Sequence, residues 1–192
     1  MRIIGGIKGG LLLKAPRGLG VRPTPDLVRQ AIFNSLGEVV LNAEVLELFA
    51  GTGALSLESL SRGAKSATCI EISPHHTKYI KENFHTAGFP SDAFKIVTQN
   101  VYIYIKKLAE EGIKFDLIFA DPPFGAKTKG ERSTSHSQKL LDNVDLPKLV
   151  KPDGIFVLGN ASRDIVEITP QWNEIKLLKH GDSTVRFLKL AK

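Results

Sequence analysis

The chain predicts an α/β fold: a doubly wound, mostly parallel sheet of seven strands, preceded by a hairpin and a helix. Three observations carry this. Short apolar runs alternate with stretches of helical period through most of the sequence, and the links between them are short, as in successive βα units. Val45-Leu46-Glu47-Leu48-Phe49-Ala50-Gly51-Thr52-Gly53-Ala54 runs from a strand through a Gly-x-Gly turn into a helix, the opening turn of ligand-binding sheets of this class. Near the C-terminus the alternation breaks, and two strand-like runs follow each other and must pair antiparallel.

Residues 2–14 alternate loosely about Gly5-Gly6 and Gly9-Gly10 and predict a small hairpin. Residues 15–23 form a basic loop rich in proline and glycine. Thr24 is placed to cap a helix with Pro25 at its first position and Asp26 in its first turn. Leu27, Val28, Ala31, Ile32, Ser35 and Leu36 recur at helical spacing, and Gly37 ends the helix. Strands are predicted near 45–50, 67–72, 94–98, 115–120 and 154–159, with helices near 54–62, 75–87, 101–111 and 137–150. Residues 174–180 and 184–190 form the closing hairpin, turned by His180-Gly181-Asp182-Ser183. The stretch from Gly125 to Ser137 is too polar to pack and predicts a loop.

With 192 residues, 42% of them hydrophobic, the chain predicts a single domain over 1–192, with residues 1–23 as a basic N-terminal extension. Leu11-Leu12-Leu13 is too short to span a membrane, and the first residues lack the apolar core of a leader, so a cytoplasmic protein is expected. Cys69 is the single cysteine; it reads as a small core residue in a reducing compartment. His75 and His76 follow Pro74 at a helix start, and adjacent residues do not share a helix face, so no metal site is expected there. Tyr102, Tyr104 and Trp172 read as packing residues. Charge is uneven. Residues 1–30 hold six basic side chains against Asp26, and residues 176–192 hold five against Asp182, so basic ends flank a mildly acidic middle. That asymmetry favours a polyanionic partner and makes Arg2, Lys8, Lys14, Arg17 and Arg22 the candidate nucleic-acid contacts.

Asp121-Pro122-Pro123-Phe124 is the most distinctive segment. It follows the apolar run 115–120, and two consecutive prolines forbid both a continued strand and an immediate helix. The result is a stiff turn at the carboxyl end of a strand, carrying a carboxylate, prolyl carbonyls and an aromatic face. Such a turn can grip a planar group that bears an amine. Gly51 and Gly53 let the backbone approach a ligand. Glu71, about 20 residues beyond Gly51, stands where a carboxylate grips a ribose diol. Nicotinamide cofactors and S-adenosylmethionine (AdoMet) both carry that ribose. The Pro-Pro turn separates them: a hydride transfer has no use for it, whereas methyl transfer to a nucleobase amine does.

On these residues the chain resembles the bacterial 16S ribosomal RNA guanine-N2 methyltransferases, within the AdoMet-dependent class I methyltransferases. The resemblance rests on Met1-Arg2-Ile3-Ile4-Gly5-Gly6, on Arg22-Pro23-Thr24-Pro25-Asp26-Leu27-Val28-Arg29, on Glu47 through Leu55, on Leu60-Ser61-Arg62-Gly63-Ala64, on Asp121-Pro122-Pro123-Phe124 and on His180-Gly181-Asp182-Ser183. It implies AdoMet as cofactor, held by Glu47, Phe49, Gly51 and Gly53 at the methionine end, by Glu71 at the ribose and by Asn100 near the adenine, with Ile72 and Val101 also in the cofactor-binding set. It implies that Asp121, Pro122, Pro123 and Phe124 hold the target amine. The partner implied is 16S rRNA, naked or in a small-subunit particle, met by a monomer. Adenine and cytosine amino-methyltransferases share the amine motif and form the alternative. Three residues depart from the family's pattern: Glu47 where Asp is usual, Asn100 where Asp often stands, and Asn160 where Glu often stands.

Overall fold

The computed structural model describes residues 1–16, 24–123 and 133–191. The chain divides into two compact units, Met1–Tyr104 and Ile105–Lys192.

The first unit holds helix α1 (Asp26–Leu36), strand β1 (Glu44–Leu48), helix α2 (Ala54–Ser61), strand β2 (Ser66–Glu71), helix α3 (Pro74–Ala87), strand β3 (Phe94–Thr98) and the start of helix α4 (Val101–Glu110). Its strands lie in the order β3-β2-β1, all parallel, with Leu46 opposite Thr68 and Ile70 opposite Val97. β1 and β2 are buried along most of their length, as expected of strands in a covered parallel sheet. The strands match the predicted positions to within one or two residues, because their apolar runs are bounded by turn residues.

The N-terminal segment is looser than the predicted hairpin. A single antiparallel bridge joins Arg2 and Leu12, and a 3₁₀ turn at Gly6–Lys8 interrupts the rest. What fixes the segment is α2. Glu58, fully buried on that helix, accepts hydrogen bonds from the Ile4 and Gly5 amides at 2.6 and 2.9 Å and from Arg62 Nε at 2.7 Å. Gly6 sits at φ +75, and a Cβ there would lie 1.9 Å from the Ser61 carbonyl oxygen, so only glycine lets the backbones meet. α1 begins with Pro25 as its N-cap, not with Thr24 as predicted. Arg29, fully buried, instead ties this start down by donating to the Thr24 carbonyl at 3.0 Å, to the Arg2 carbonyl, and to Asp26 at 2.9 Å.

The second unit holds the rest of α4, strand β4 (Phe115–Ala120), helix α5 (His136–Leu141) and strands β5 (Val150–Ala161), β6 (Trp172–His180) and β7 (Ser183–Leu190). Its strands lie in the order β4-β5-β7-β6. β4 and β5 are parallel; β7 is antiparallel to both β5 and β6. The first unit's strands are thus all parallel, and the second unit's sheet is mixed, with one antiparallel hairpin. Gly181-Asp182 closes the hairpin in two residues, with Gly181 at φ +56.

α5 is much shorter than the helix predicted over 137–150. Asn143 Oδ1 accepts from the Asp145 and Leu146 amides at 3.0 and 2.8 Å, an Asx turn that competes with the helix, and Pro147 supplies no N–H. A 3₁₀ turn at Leu146–Leu149 leads into β5, which begins earlier than predicted because a register shift between Phe115 and Leu117 admits extra residues. Trp172 is buried against Phe156 at 5.1 Å and donates from Nε1 to the Leu141 carbonyl. Among the described residues no helix is long and apolar enough to cross a membrane.

Candidate active site

In the first unit, four predicted residues converge on the turn between β1 and α2. Glu71, at the end of β2 and only 6% exposed, accepts from the Gly51 amide at 2.9 Å through Oε2 and from the Ser73 amide at 2.9 Å through Oε1. A carboxylate offers about four acceptor positions, so capacity is left for a diol. Gly51 lies at φ +56, and a Cβ there would meet nothing nearer than the Phe49 carbonyl oxygen at 4.0 Å. Its amide is already fixed, and among the described residues the space over it is open. Ile72 beside it is 61% exposed, an apolar surface next to the carboxylate. These residues fit a ribose-bearing cofactor.

Gly53 is glycine for a different reason. At φ +73 it is the N-cap of α2, and a Cβ would press on Ile80 Cγ2 at 3.0 Å and Phe84 Cε2 at 3.2 Å. It serves the packing of α2 on α3. Phe49 holds φ +58, a region rare for a bulky side chain, and its ring meets Tyr102 edge-on at 6.3 Å. Burial pushes the Tyr102 phenol up to about 12, so it stays a neutral hydroxyl.

Glu47 faces inward. It is 3% exposed, and its carboxylate accepts from the Leu55 and Ser56 amides at 3.3 and 2.9 Å, capping α2 from β1. These contacts place the helix start. Burial raises its pKa to about 7, against the opposing pull of the Ser56 hydroxyl, the Ser56 and Leu55 amides and the Cys69 thiol. Burial, and then the charge on Glu47, pushes the Cys69 thiol up, so Cys69 is no thiolate nucleophile.

A raised carboxylate pKa sets the sign of the pH effect. Between the ordinary carboxyl value of 4.5 and about 7 the folded chain keeps the proton that the unfolded chain has lost, so this group's contribution to stability falls as pH rises. The shift corresponds to about 3 kcal/mol at most. Urea unfolding at pH 5 and pH 8 should show wild type losing more stability between the two than Glu47→Gln, which lacks the titration. Equal losses would place the Glu47 titration elsewhere.

Asn100 caps α4: its Oδ1 accepts from the Tyr102 amide at 2.9 Å and more weakly from Ile103 at 3.4 Å. Val101 is buried at the helix start. Sequence reading weighed His76 only as a metal ligand, whereas its Nδ1 lies 3.4 Å from Glu71 Oε1, and it passed over Ser73, which caps α3 by accepting from the His76 amide at 3.3 Å. The available signal was the Ser73-Pro74 cap, which sets His76 one turn from the strand end.

In the second unit, Asp121 follows β4 as a half-buried residue, with Pro122 buried and Pro123 exposed. A Cβ at Gly159 would lie 2.4 Å from Asp121 Oδ1, so the carboxylate lies over the bare backbone of β5. Phe124 lies outside the described residues. Asn160 donates to the Ala161 and Asp164 carbonyls at 2.9 and 3.0 Å, shaping the turn after β5.

Of the basic candidates, Arg2 lies 3.7 Å from Asp26 and Lys14 lies 3.1 Å from Glu82, each on an exposed side chain. Such pairs are worth little in water and yield readily to a phosphate. Lys8 lies over the Phe89 ring at 5.8 Å. Arg17 and Arg22 lie outside the described residues.

Residues 1–189 match the family described as Conserved hypothetical protein 95. The chain belongs to that family. Among relatives of this family member, Ribosomal RNA small subunit methyltransferase D of Escherichia coli (strain K12) is 40% identical over 124 residues, 65% of this chain and 60% of the relative. The match therefore spans less than two thirds of that relative's length. YlbH of Bacillus subtilis (strain 168), provisionally named an rRNA methyltransferase, is 30% identical over 165 residues, 86% of this chain and 84% of YlbH. The solved structure of Escherichia coli yhhF covers 100% of this chain and 98% of its own, with a TM-score of 0.81 at 26% identity. The fold of this Conserved hypothetical protein 95 member is that of the class I methyltransferases.

Proposed function

We propose that the chain transfers a methyl group from AdoMet to the exocyclic N2 amine of a guanine in 16S rRNA. The observation that carries this reading is the Asp121-Pro122-Pro123 turn at the end of β4, its carboxylate laid over Gly159, in a chain 40% identical over 124 residues to a small-subunit rRNA methyltransferase.

AdoMet supplies an electrophilic methyl on a sulfonium. The residues of the chain do the rest. Glu71 accepts from the ribose hydroxyls while its hold on the Gly51 and Ser73 amides keeps the turn rigid. Glu47 holds the start of α2 in place, and Ile72 offers an apolar surface to the nucleobase. A guanine amine is conjugated with its ring and is a poor nucleophile. Acceptors at Asp121 and the Pro122 carbonyl take its two hydrogens and favour a pyramidal nitrogen, and Phe124 stacks on the ring. The gain is orientation and preorganised polarity, without a covalent intermediate. The charged product then loses its proton to water or to Asp121. The base must first leave its stack.

The test is direct. The protein is incubated with isotopically labelled AdoMet and 16S rRNA, naked or in small-subunit particles, and the digested nucleosides are separated. Label in N2-methylguanosine is expected. Label in N6-methyladenosine or N4-methylcytidine would replace the guanine assignment with the alternative amino-methyltransferase reading, and absence of label with either substrate form would overturn the assignment of substrate.

A further inference from the structure

The C-terminal end of α3 carries a second feature that the transfer chemistry does not use. A pocket of about 540 Å³ opens there, lined by Lys81, His85, Phe89, Ser91 and Phe94, together with Gly88 and Pro90. α3 has 14 residues, which sets this pocket about 20 Å along the helix from Glu71. It is therefore separate from the cofactor turn.

The pocket combines two kinds of group. Phe89 and Phe94 are half-buried, and Phe94 is backed by Phe84 in a stack at 4.3 Å, which holds its plane. Around them stand two lysines and a histidine. Lys81 and His85 are one turn apart on α3 and exposed, and Lys8 reaches over from the 3₁₀ turn of the N-terminal segment to sit 5.8 Å from the Phe89 ring centroid. Of the acids next to lining residues, Glu82 is taken up by Lys14 at 3.1 Å, and Asp92 stands exposed on the 3₁₀ turn beside Ser91. The Lys8 backbone is itself fixed, its amide donating to Ser61 Oγ at 2.9 Å.

Aromatic faces with flanking cations form the pattern that holds single-stranded nucleic acid: bases stack on the rings and phosphates meet the lysines. We infer that this pocket is a docking site for an unpaired nucleotide of the RNA substrate, its base on Phe89 and its phosphates against Lys81 and Lys8. The inference rests on the RNA reading above and adds a second point of attachment. A strand held at the end of α3 as well as near the methyl-transfer turn is bound at two points, which fixes its direction. The cations favour RNA over an apolar protein segment, and the rings favour an unstacked base over a duplex or an acidic side chain.

The experiment measures binding of a fluorescein-labelled 16S rRNA transcript to the wild type and to Phe89→Leu, Phe89→Trp and Lys81→Glu, with AdoMet affinity measured in parallel. Phe89→Leu keeps the apolar volume and removes the stacking face; it should weaken RNA binding about tenfold, and Phe89→Trp should not. Lys81→Glu should lower the slope of log affinity against log salt by about 0.7 for each phosphate lost. AdoMet affinity should be unchanged in all three. A transcript carrying 5-iodouridine should crosslink to Phe89. Wild-type binding with Phe89→Leu and Lys81→Glu equal to it would overturn the pocket and leave the functional reading standing. No wild-type affinity for rRNA or for small-subunit particles would overturn both.

Discussion

Replacing Asp121 by alanine should lower methyl transfer by about 10²–10³-fold while leaving AdoMet affinity close to wild type, the loss typical of one preorganised polar contact. The reason lies in where the carboxylate sits. Asp121 is at the carboxyl end of β4, over Gly159 of β5, in the unit that does not carry the glycine turn. Calorimetric titration with AdoMet and single-turnover methylation of rRNA separate the two effects. A second variant reaches the same group without deleting it: Gly159→Ala places a Cβ 2.4 Å from Asp121 Oδ1 and must displace the carboxylate. It should slow transfer in the same way. Near-normal turnover in both variants would remove Asp121 from the chemistry.

Glu71→Ala should weaken AdoMet binding by about 10–100-fold, the worth of hydrogen bonds to a charged acceptor. It should not change which base is methylated. The loss has two parts. The ribose loses its acceptor, and the Gly51 and Ser73 amides lose the carboxylate that fixes them. Glu71→Gln keeps one acceptor and should recover part of the affinity. If the wild type bound NADH tightly and AdoMet not at all, the cofactor assignment itself would fall.

The fold was legible where local chemistry and tertiary context agreed. β1, β2 and β4 stand where short apolar runs end in glycine, proline or acidic residues, β3 runs into Gln99-Asn100, and the closing hairpin follows its glycine turn. Legibility failed where a side chain competed with the backbone. Asn143 and Pro147 broke the helix predicted over 137–150, and Arg29 organised the start of α1 in place of a Thr24 cap. At the site, residue types gave position but not direction. Sequence places Glu47 beside Glu71 in importance; the structure sends one inward to cap α2 and leaves the other at the glycine turn, a difference of side-chain facing that no spacing encodes. Gly51 and Gly53 look equivalent in a motif, yet open space lies over one and α3 over the other. The contact of His76 with Glu71 was missed because it runs across a turn, not along a helix face.

The strand order of the second unit bears on how the chain is made. β7 sits between β5 and β6 although it is the last of the three to be synthesised. On the ribosome, β5 emerges with one flank unpaired, and β6 follows with no partner until residues 183–190 arrive. Two open strand edges are the form in which nascent chains are most prone to associate. A chain cut after Gly181 would lose the β5–β7 and β6–β7 ladders together, not one after the other. Completion of this half of the sheet is therefore a single late event, waiting on the final strand.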